Sequence, residues 1–294
     1  VDELALVNHI KSKKVLGAAL DVFENEPLSS DHPLLSCPEV ILTPHLGAST
    51  KDAIKNVSVA IANQIKDYLL NAEIRNALNA PALDAKDAGL LRPYMVLAET
   101  LGSFVSQLAD GAISKLEVSV MGDLAAIDYS PITQAVVKGV LERYVDKSVN
   151  YVNALILANE RGIEVSSGSS PVKRNFSALL GVRIETEKES RFVEGTIFDG
   201  EQSRLVTLDD YLLEAKVNGD MLVITNVDQP GVIGKIGMTL GSKNINIAAF
   251  QLGRIADRPN SAMSIVNIDS TPTKDDIDKL TQIEAVTTVK LVRI

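Results

Sequence analysis

Residues 218–294 leave the chain few folds to choose from. After the turn Asn218-Gly219-Asp220, apolar and polar residues recur in an order that reads strand (221–225), helix (231–240), strand (246–255), strand (262–268), helix (274–282) and strand (287–292). This βαββαβ order predicts a ferredoxin-like sheet.

A second pattern lies near the other end. The apolar run at residues 16–20 ends at Asp21, with Glu26 five residues later. The run Val40-Ile41-Leu42 stops at Thr43-Pro44, and His45 follows at once. Two strand-like segments thus deliver an Asp, a Glu and a His just past their carboxyl ends, the edge where open α/β sheets bind ligands. A carboxylate beside an imidazole is a common way to build a general acid/base with an adjusted pKa. Pro44 and Gly47 flank His45 with a sharp turn where backbone can approach a ligand. The competing reading is a histidine that merely ends a strand, and the nearness of Asp21 and Glu26 weighs against it.

Composition narrows the classes further. At 294 residues the chain suits two or three domains. A net charge of −9 argues against a nucleic-acid partner or an anionic membrane, and no apolar run approaches the ~20 residues that span a bilayer. Cys37 is the single cysteine, so no internal disulfide forms, which fits a reducing cytoplasm. His9, His32 and His45 lack metal-ligand spacing, and no metal is expected. Val1-Asp2-Glu3 leads straight into a helical run, as if the chain started in mid-element. No Gly-x-Gly-x-x-Gly follows a strand; Gly231, Gly234, Gly237 and Gly241 read as helix packing rather than a pyrophosphate loop.

The expected organisation is α/β followed by α+β. Residues 1–48 read as the tail of an α/β domain, with a helix from Asp2 to about Lys13. Residues 49–80 carry a helix capped by Ser49 or Thr50, with Ile54, Val57, Ile61, Ile65 and Tyr68 at steps of three and four. A linker at residues 75–87 around Pro81 marks a boundary. Residues 81–217 read as α+β: a helix from Pro93 with Leu97, Leu101, Val105 and Leu108 on one face, a strand at 114–120, and a helix opened by Ser130-Pro131. A helix at 152–161 stopped by Gly162 follows, then strands at 180–187, 192–197 and 204–208. Residues 218–294 form the last domain.

Residues 1–3 (VDE), 17–23 (GAALDVF), 25–27 (NEP) and 42–47 (LTPHLG) together resemble the end of the nucleotide-binding domain of D-isomer-specific 2-hydroxyacid dehydrogenases, a Rossmann-type fold. That resemblance implies NAD as cofactor and His45 as the acid/base for a hydroxyl proton. It implies Glu26 as the partner favouring protonated His45, Asp21 at the nicotinamide side, and His45, Leu46, Gly47 and Ala48 lining the same place. Residues 93–94 (PY), 97–99 (LAE), 101–102 (LG), 154–163 (ALILANERGI) and 195–198 (GTIF) are similar to the long-form phosphoglycerate dehydrogenase family, which has an intervening domain. Residues 223–241 and 246–248 resemble an ACT domain. The resemblance covers essentially the whole chain and implies the carboxyl-terminal half of an enzyme that oxidises 3-phospho-D-glycerate in L-serine biosynthesis. The family's Gly-rich NAD loop and substrate Arg are not among these residues, so the chain alone is expected to be inactive.

By the same resemblance, the loop Asn226, Asp228, Pro230, Gly231 takes L-serine as effector. Asp228 would accept the ammonium, and the helix start around Gly231 and Ile233 would donate to the carboxylate. Asn246 would reach the same ligand across a subunit interface. The plainer reading is a strand-to-helix turn with Asp228 as a cap. Arg204 and Lys216 would hold an anion, although two exposed cations on a surface strand are unremarkable and Asn267 stands where some relatives add a third basic residue. A homo-oligomer through the ACT and intervening domains is expected. The alternative function is a regulatory, oligomerising piece that binds serine without turnover.

Overall fold

Asp2 turns the chain into its first helix: its carboxylate accepts from the Ala5 N–H at 2.9 Å and opens α1 (Glu3–Lys11). A computed structural model describes residues 1–71, 76–77, 87–145, 148–255 and 258–294, which fall into two compact units, Val1–Asn76 and Ala77–Ile294. The expected linker around Pro81 lies almost wholly outside the described residues.

In the first unit, β1 (Ala18–Leu20) and β2 (Val40–Leu42) pair in parallel, Ala18 with Val40 and Leu20 with Leu42. Val7 of α1, Leu34 of a short 3-10 turn (Pro33–Ser36) and Cys37 form their core. Glu3 is buried; it accepts from the Glu24 N–H at 2.8 Å and meets His32 Nε2 at 3.1 Å. His32, which reads as part of a polar loop, therefore ties that loop to α1. α2 (Lys51–Asn71) opens on Thr50, whose hydroxyl accepts from the Ala53 N–H at 3.2 Å. The stripe Ile54, Val57, Ile61, Ile65 and Tyr68 is present but exposed.

The second unit runs α3 (Ala88–Leu108), β3 (Ile113–Gly122), α4 (Ser130–Leu141), α5 (Ala154–Glu160), β4 (Glu164–Ser170), β5 (Ala178–Thr186), β6 (Ser190–Phe198), β7 (Gln202–Leu208) and β8 (Tyr211–Ala215). It continues through β9 (Asp220–Val227), α6 (Val232–Ser242), β10 (Ile247–Ile255), β11 (Arg258–Ile268), α7 (Lys274–Thr281) and β12 (Val286–Arg293). Among the described residues all ten strands from β3 onward join one sheet, in the order β12-β9-β11-β10-β8-β7-β6-β5-β3-β4. The last six elements have the expected βαββαβ order. One expectation changes and two strands appear that were not expected. α3 begins at Ala88 rather than Pro93, because Leu91 and Tyr94 bury in the core and offset the one N–H that Pro93 lacks. β4 is a polar edge strand, EVSSGSS, without the alternation that marks a half-buried strand. β8 is only five residues long, directly after the Asp209-Asp210 turn.

α3 and α4 lie against each other at glycines. A Cβ on Gly139 would run into the Glu99 carbonyl oxygen, and one on Gly102 into that of Val136. Backbone cannot rotate aside as a side chain can. Gly139→Ala is therefore expected to destabilise this unit, since overpacking costs about 1–3 kcal/mol and exceeds the ~1 kcal/mol of helix propensity gained. The check is the denaturation midpoint against Gly89→Ala, where nothing lies within 4 Å; an equal midpoint for the two variants would disprove the close-packing account.

The sheet of the last domain is covered on both faces. Leu222, Ile224 and Val266 pack with Val232, Ile236 and Leu240 of α6 and Leu280 of α7. Their alternates Met221, Val223, Met263, Ile265 and Val292 join the core that α3 covers. Gln107 of α3 behaves as a strand partner of β12, donating to the Arg293 carbonyl and accepting from its N–H, each at 3.0 Å. Within this one sheet, the strands of the last domain join those that precede them where Arg254 of β10 pairs with Leu212 of β8.

Candidate functional site

β1 and β2, being parallel neighbours, deliver Asp21 and residues 43–48 to the same edge. Asp21 is held there by three donors: the Thr43 hydroxyl at 2.5 Å, the Leu46 N–H at 2.7 Å and the Gly47 N–H at 2.6 Å. The Thr43 hydroxyl foremost, then the Leu46 N–H, keeps its carboxyl below the usual range. Asp21 thus fixes the turn that presents His45, whose own backbone is left-handed at φ +54°. A non-glycine residue there is uncommon, and a turn tied at both Leu46 and Gly47 is what maintains it. Thr43, which sequence reasoning did not single out, holds Asp21 in place; its signal was the hydroxyl one residue past β2.

His45 Nδ1 meets Glu26 Oε2 at 2.7 Å, and the other Glu26 oxygen accepts from the Phe23 N–H at 3.0 Å. The Glu26 hydrogen bond, then its charge, raises His45 above the ordinary imidazole value; the His45 contact, then the Phe23 N–H, lowers Glu26. Glu26 is thereby ionised at neutral pH and holds the Nδ1 proton, leaving Nε2 to exchange a proton with a ligand. Both side chains are open to solvent, at 57% and 34%. The structure brings His45, Glu26, Asp21, Leu46 and Gly47 together, and Ala48 follows on the same turn.

These residues fit one end of a dinucleotide: an ionised carboxylate, an imidazole and a backbone turn on one strand edge. Among residues 1–48 no Gly-rich strand-to-helix turn offers a phosphate cradle.

The second cluster is at the start of α6. Asn226, Asp228, Pro230, Gly231 and Ile233 all line a cavity of about 390 Å³, with Gln229, Val232, Leu252 and Arg254 completing the wall. Asn246 is not among them; at the opposite end of β10, its amide donates to Asp269 at 2.5 Å. Within one chain it does not reach this cavity. Arg254, which the sequence did not single out, meets Asp228 at 2.7 Å. The third cluster is less of a site. The Arg204 guanidinium is spent on Gln202 at 2.7 Å and the Ser203 carbonyl at 3.0 Å, while Lys216 stands exposed and offers its carbonyl to Asn267 at 3.2 Å. No helix among the described residues is long and apolar enough to cross a membrane.

Three family models match in sequence. Residues 1–47 match the NAD binding domain of D-isomer specific 2-hydroxyacid dehydrogenases, residues 90–209 the D-3-phosphoglycerate dehydrogenase intervening domain, and residues 221–285 the ACT domain. Among curated relatives, D-3-phosphoglycerate dehydrogenase of Synechocystis is 42% identical over 99% of this chain and 53% of its own length. The enzyme of that name from Archaeoglobus fulgidus is 35% identical over 97% of this chain and 54% of its own, and that of Bacillus subtilis 32% over 99% and 55%. The chain spans about half the length of the curated relatives it matches.

It belongs to the D-isomer-specific 2-hydroxyacid dehydrogenases, a family of NAD-binding oxidoreductases. Within that family, its NAD-binding tail, intervening domain and ACT domain are those of the D-3-phosphoglycerate dehydrogenases.

Proposed function

We propose that this chain supplies the proton-handling half of a catalytic site and the regulatory half of an NAD-dependent D-3-phosphoglycerate dehydrogenase. The reaction is oxidation of 3-phospho-D-glycerate to 3-phosphohydroxypyruvate, the first step of L-serine biosynthesis. The observation that carries this reading is the 2.7 Å contact of His45 Nδ1 with Glu26 on the strand edge that also holds Asp21. NAD, when bound, supplies hydride acceptance. His45 Nε2 takes the hydroxyl proton from the carbon that gives up hydride, Glu26 stabilises the imidazolium so formed, and Asp21 positions the turn. Leu46, Gly47 and Ala48 line the space beside it. The domains proposed are 1–48, 49–80, 81–217 and 218–294.

These 294 residues alone are expected to show no turnover with NAD and 3-phosphoglycerate, because no phosphate cradle or substrate Arg accompanies His45. The same residues within a full-length enzyme should turn over. Measured phosphoglycerate oxidation by the 294-residue chain would refute the half-site reading.

The α6 cavity is the effector half of the proposal. It takes L-serine, with Asp228 accepting the ammonium and the α6 amino terminus receiving the carboxylate. Support comes from the cavity itself, which falls in the range of roughly 300–1,000 Å³ typical of small-molecule sites. Asn246 joins from a second copy in a homo-oligomer. Serine titration at protein concentrations above and below the dimer midpoint tests that, since affinity should follow assembly. Arg204 and Lys216 remain an anion site only if phosphate displaces Gln202 from Arg204.

A further inference from the structure

We propose, resting on the effector reading above, that Arg254 is the residue by which the α6 cavity selects its ligand. Its ion pair with Asp228 opens for a molecule carrying an ammonium and a carboxylate on one carbon, Asp228 taking the first and Arg254, together with the α6 amino terminus, the second.

The geometry of the pair is the starting point. Arg254 grips both Asp228 oxygens, Nε on Oδ2 at 2.7 Å and Nη2 on Oδ1 at 3.2 Å. The carboxylate that an ammonium would need is therefore already occupied. The two partners differ in freedom. The Asp228 side chain is 20% exposed and its N–H donates to the Asn260 carbonyl at 3.1 Å, whereas the Arg254 side chain is 66% exposed and can swing on its long stem.

Three further wall features point to a ligand. Asn226 is only 5% exposed and lines the cavity, and its amide N–H donates to the Val227 carbonyl at 2.8 Å. Gly231 is the N-cap of α6 and has no side chain with which to cap the first turn, leaving those N–H groups for an acceptor. Leu252, Pro230 and Ile233 make the remaining wall apolar and suit a small side chain.

Charge exchange then decides specificity. A ligand with only an ammonium breaks the Asp228–Arg254 pair to form one pair in its place. A ligand with only a carboxylate does the same and strands Asp228. A zwitterion replaces one ion pair with two, and a planar guanidinium is suited to a two-pronged grip on a carboxylate. The same residue is where the last domain's strands join those that precede them, since the Arg254 backbone pairs with Leu212 of β8. A ligand that moves Arg254 therefore acts at the junction of the two domains.

The test is calorimetric titration of the intact 294-residue chain with L-serine, ethanolamine and 3-hydroxypropanoate, each against unmodified, Arg254→Met and Arg254→Lys chains. In the unmodified chain serine binds, and both one-charge analogues bind about tenfold or more weaker. Arg254→Met weakens serine about tenfold or more and strengthens ethanolamine, because Asp228 is then open. Serine also slows amide exchange in residues 211–215 of the unmodified chain but not of Arg254→Met. If Arg254→Met does not fold, Arg254→Lys, which keeps the charge but loses the fork, must still show weaker serine binding. Unchanged serine affinity in a folded variant overturns the role of Arg254 and leaves the effector reading standing. Absence of serine binding to the unmodified chain removes the effector reading, and the role of Arg254 falls with it.

Discussion

In the full-length enzyme, His45→Gln is expected to lose about 10²- to 10⁴-fold in kcat, the usual contribution of a positioned general acid/base, while NAD still binds. The two halves of that expectation have separate origins. In the proposed reaction the proton is handled at Nε2, which the Glu26 contact at Nδ1 leaves free for it, and a glutamine cannot shuttle it. The turn that shapes the space beside it is held through backbone N–H groups of Leu46 and Gly47 on Asp21, and these survive the substitution. NAD fluorescence titration and steady-state turnover separate the two. Retained turnover would take the proton-handling role from His45. Loss of NAD binding as well would mean that the imbalance lies in the turn, and Asp21→Asn would then be the more informative variant, since it removes the charge that three donors converge on.

Much of this arrangement was legible from residue order. Asp21, Glu26 and His45 are placed by two short apolar runs, and parallel pairing of those runs is enough to gather their ends. The βαββαβ order of residues 220–293 was equally legible, because each element there is marked by its own period. What escaped were features whose signal is spread across distant residues. Strand β4 is polar but for Val165, and pairing with its neighbour β3, with Leu116, Val118 and Val120 buried, makes it a strand. The second face of the last sheet is marked only by the unbroken apolar run at residues 221–224, which does not say what covers it; Met221, Val223 and Ile265 join the core that includes residues of α3. Arg254 is one of several basic residues in its region, and nothing in sequence separation says that it closes on Asp228, 26 residues earlier. Asn246, just before β10, lies away from the α6 cavity of its own chain, and residue order alone does not say which copy's cavity it would serve.

Glu26→Gln is expected to move the pH dependence of turnover in a fixed direction. Glu26 raises His45, first through its hydrogen bond and then through its charge, with a smaller contribution from Asp21. Oxidation needs neutral His45 as base, so activity rises as pH climbs through the His45 pKa; reduction needs the protonated form, so activity falls through the same value. Glutamine keeps an acceptor for Nδ1 and removes the charge, so the His45 pKa drops. The acid limb of kcat/KM for oxidation then shifts to lower pH, and the alkaline limb for reduction shifts with it. At alkaline pH the variant should therefore lose more of the reductive reaction than of the oxidative one. Glu26→Ala removes the orientation of the ring too and is expected to cost about 10²-fold in both directions. Limbs that stay in place in Glu26→Gln, with a rate loss like that of Glu26→Ala, would make Glu26 a positioning group alone, its charge irrelevant to the proton that His45 carries.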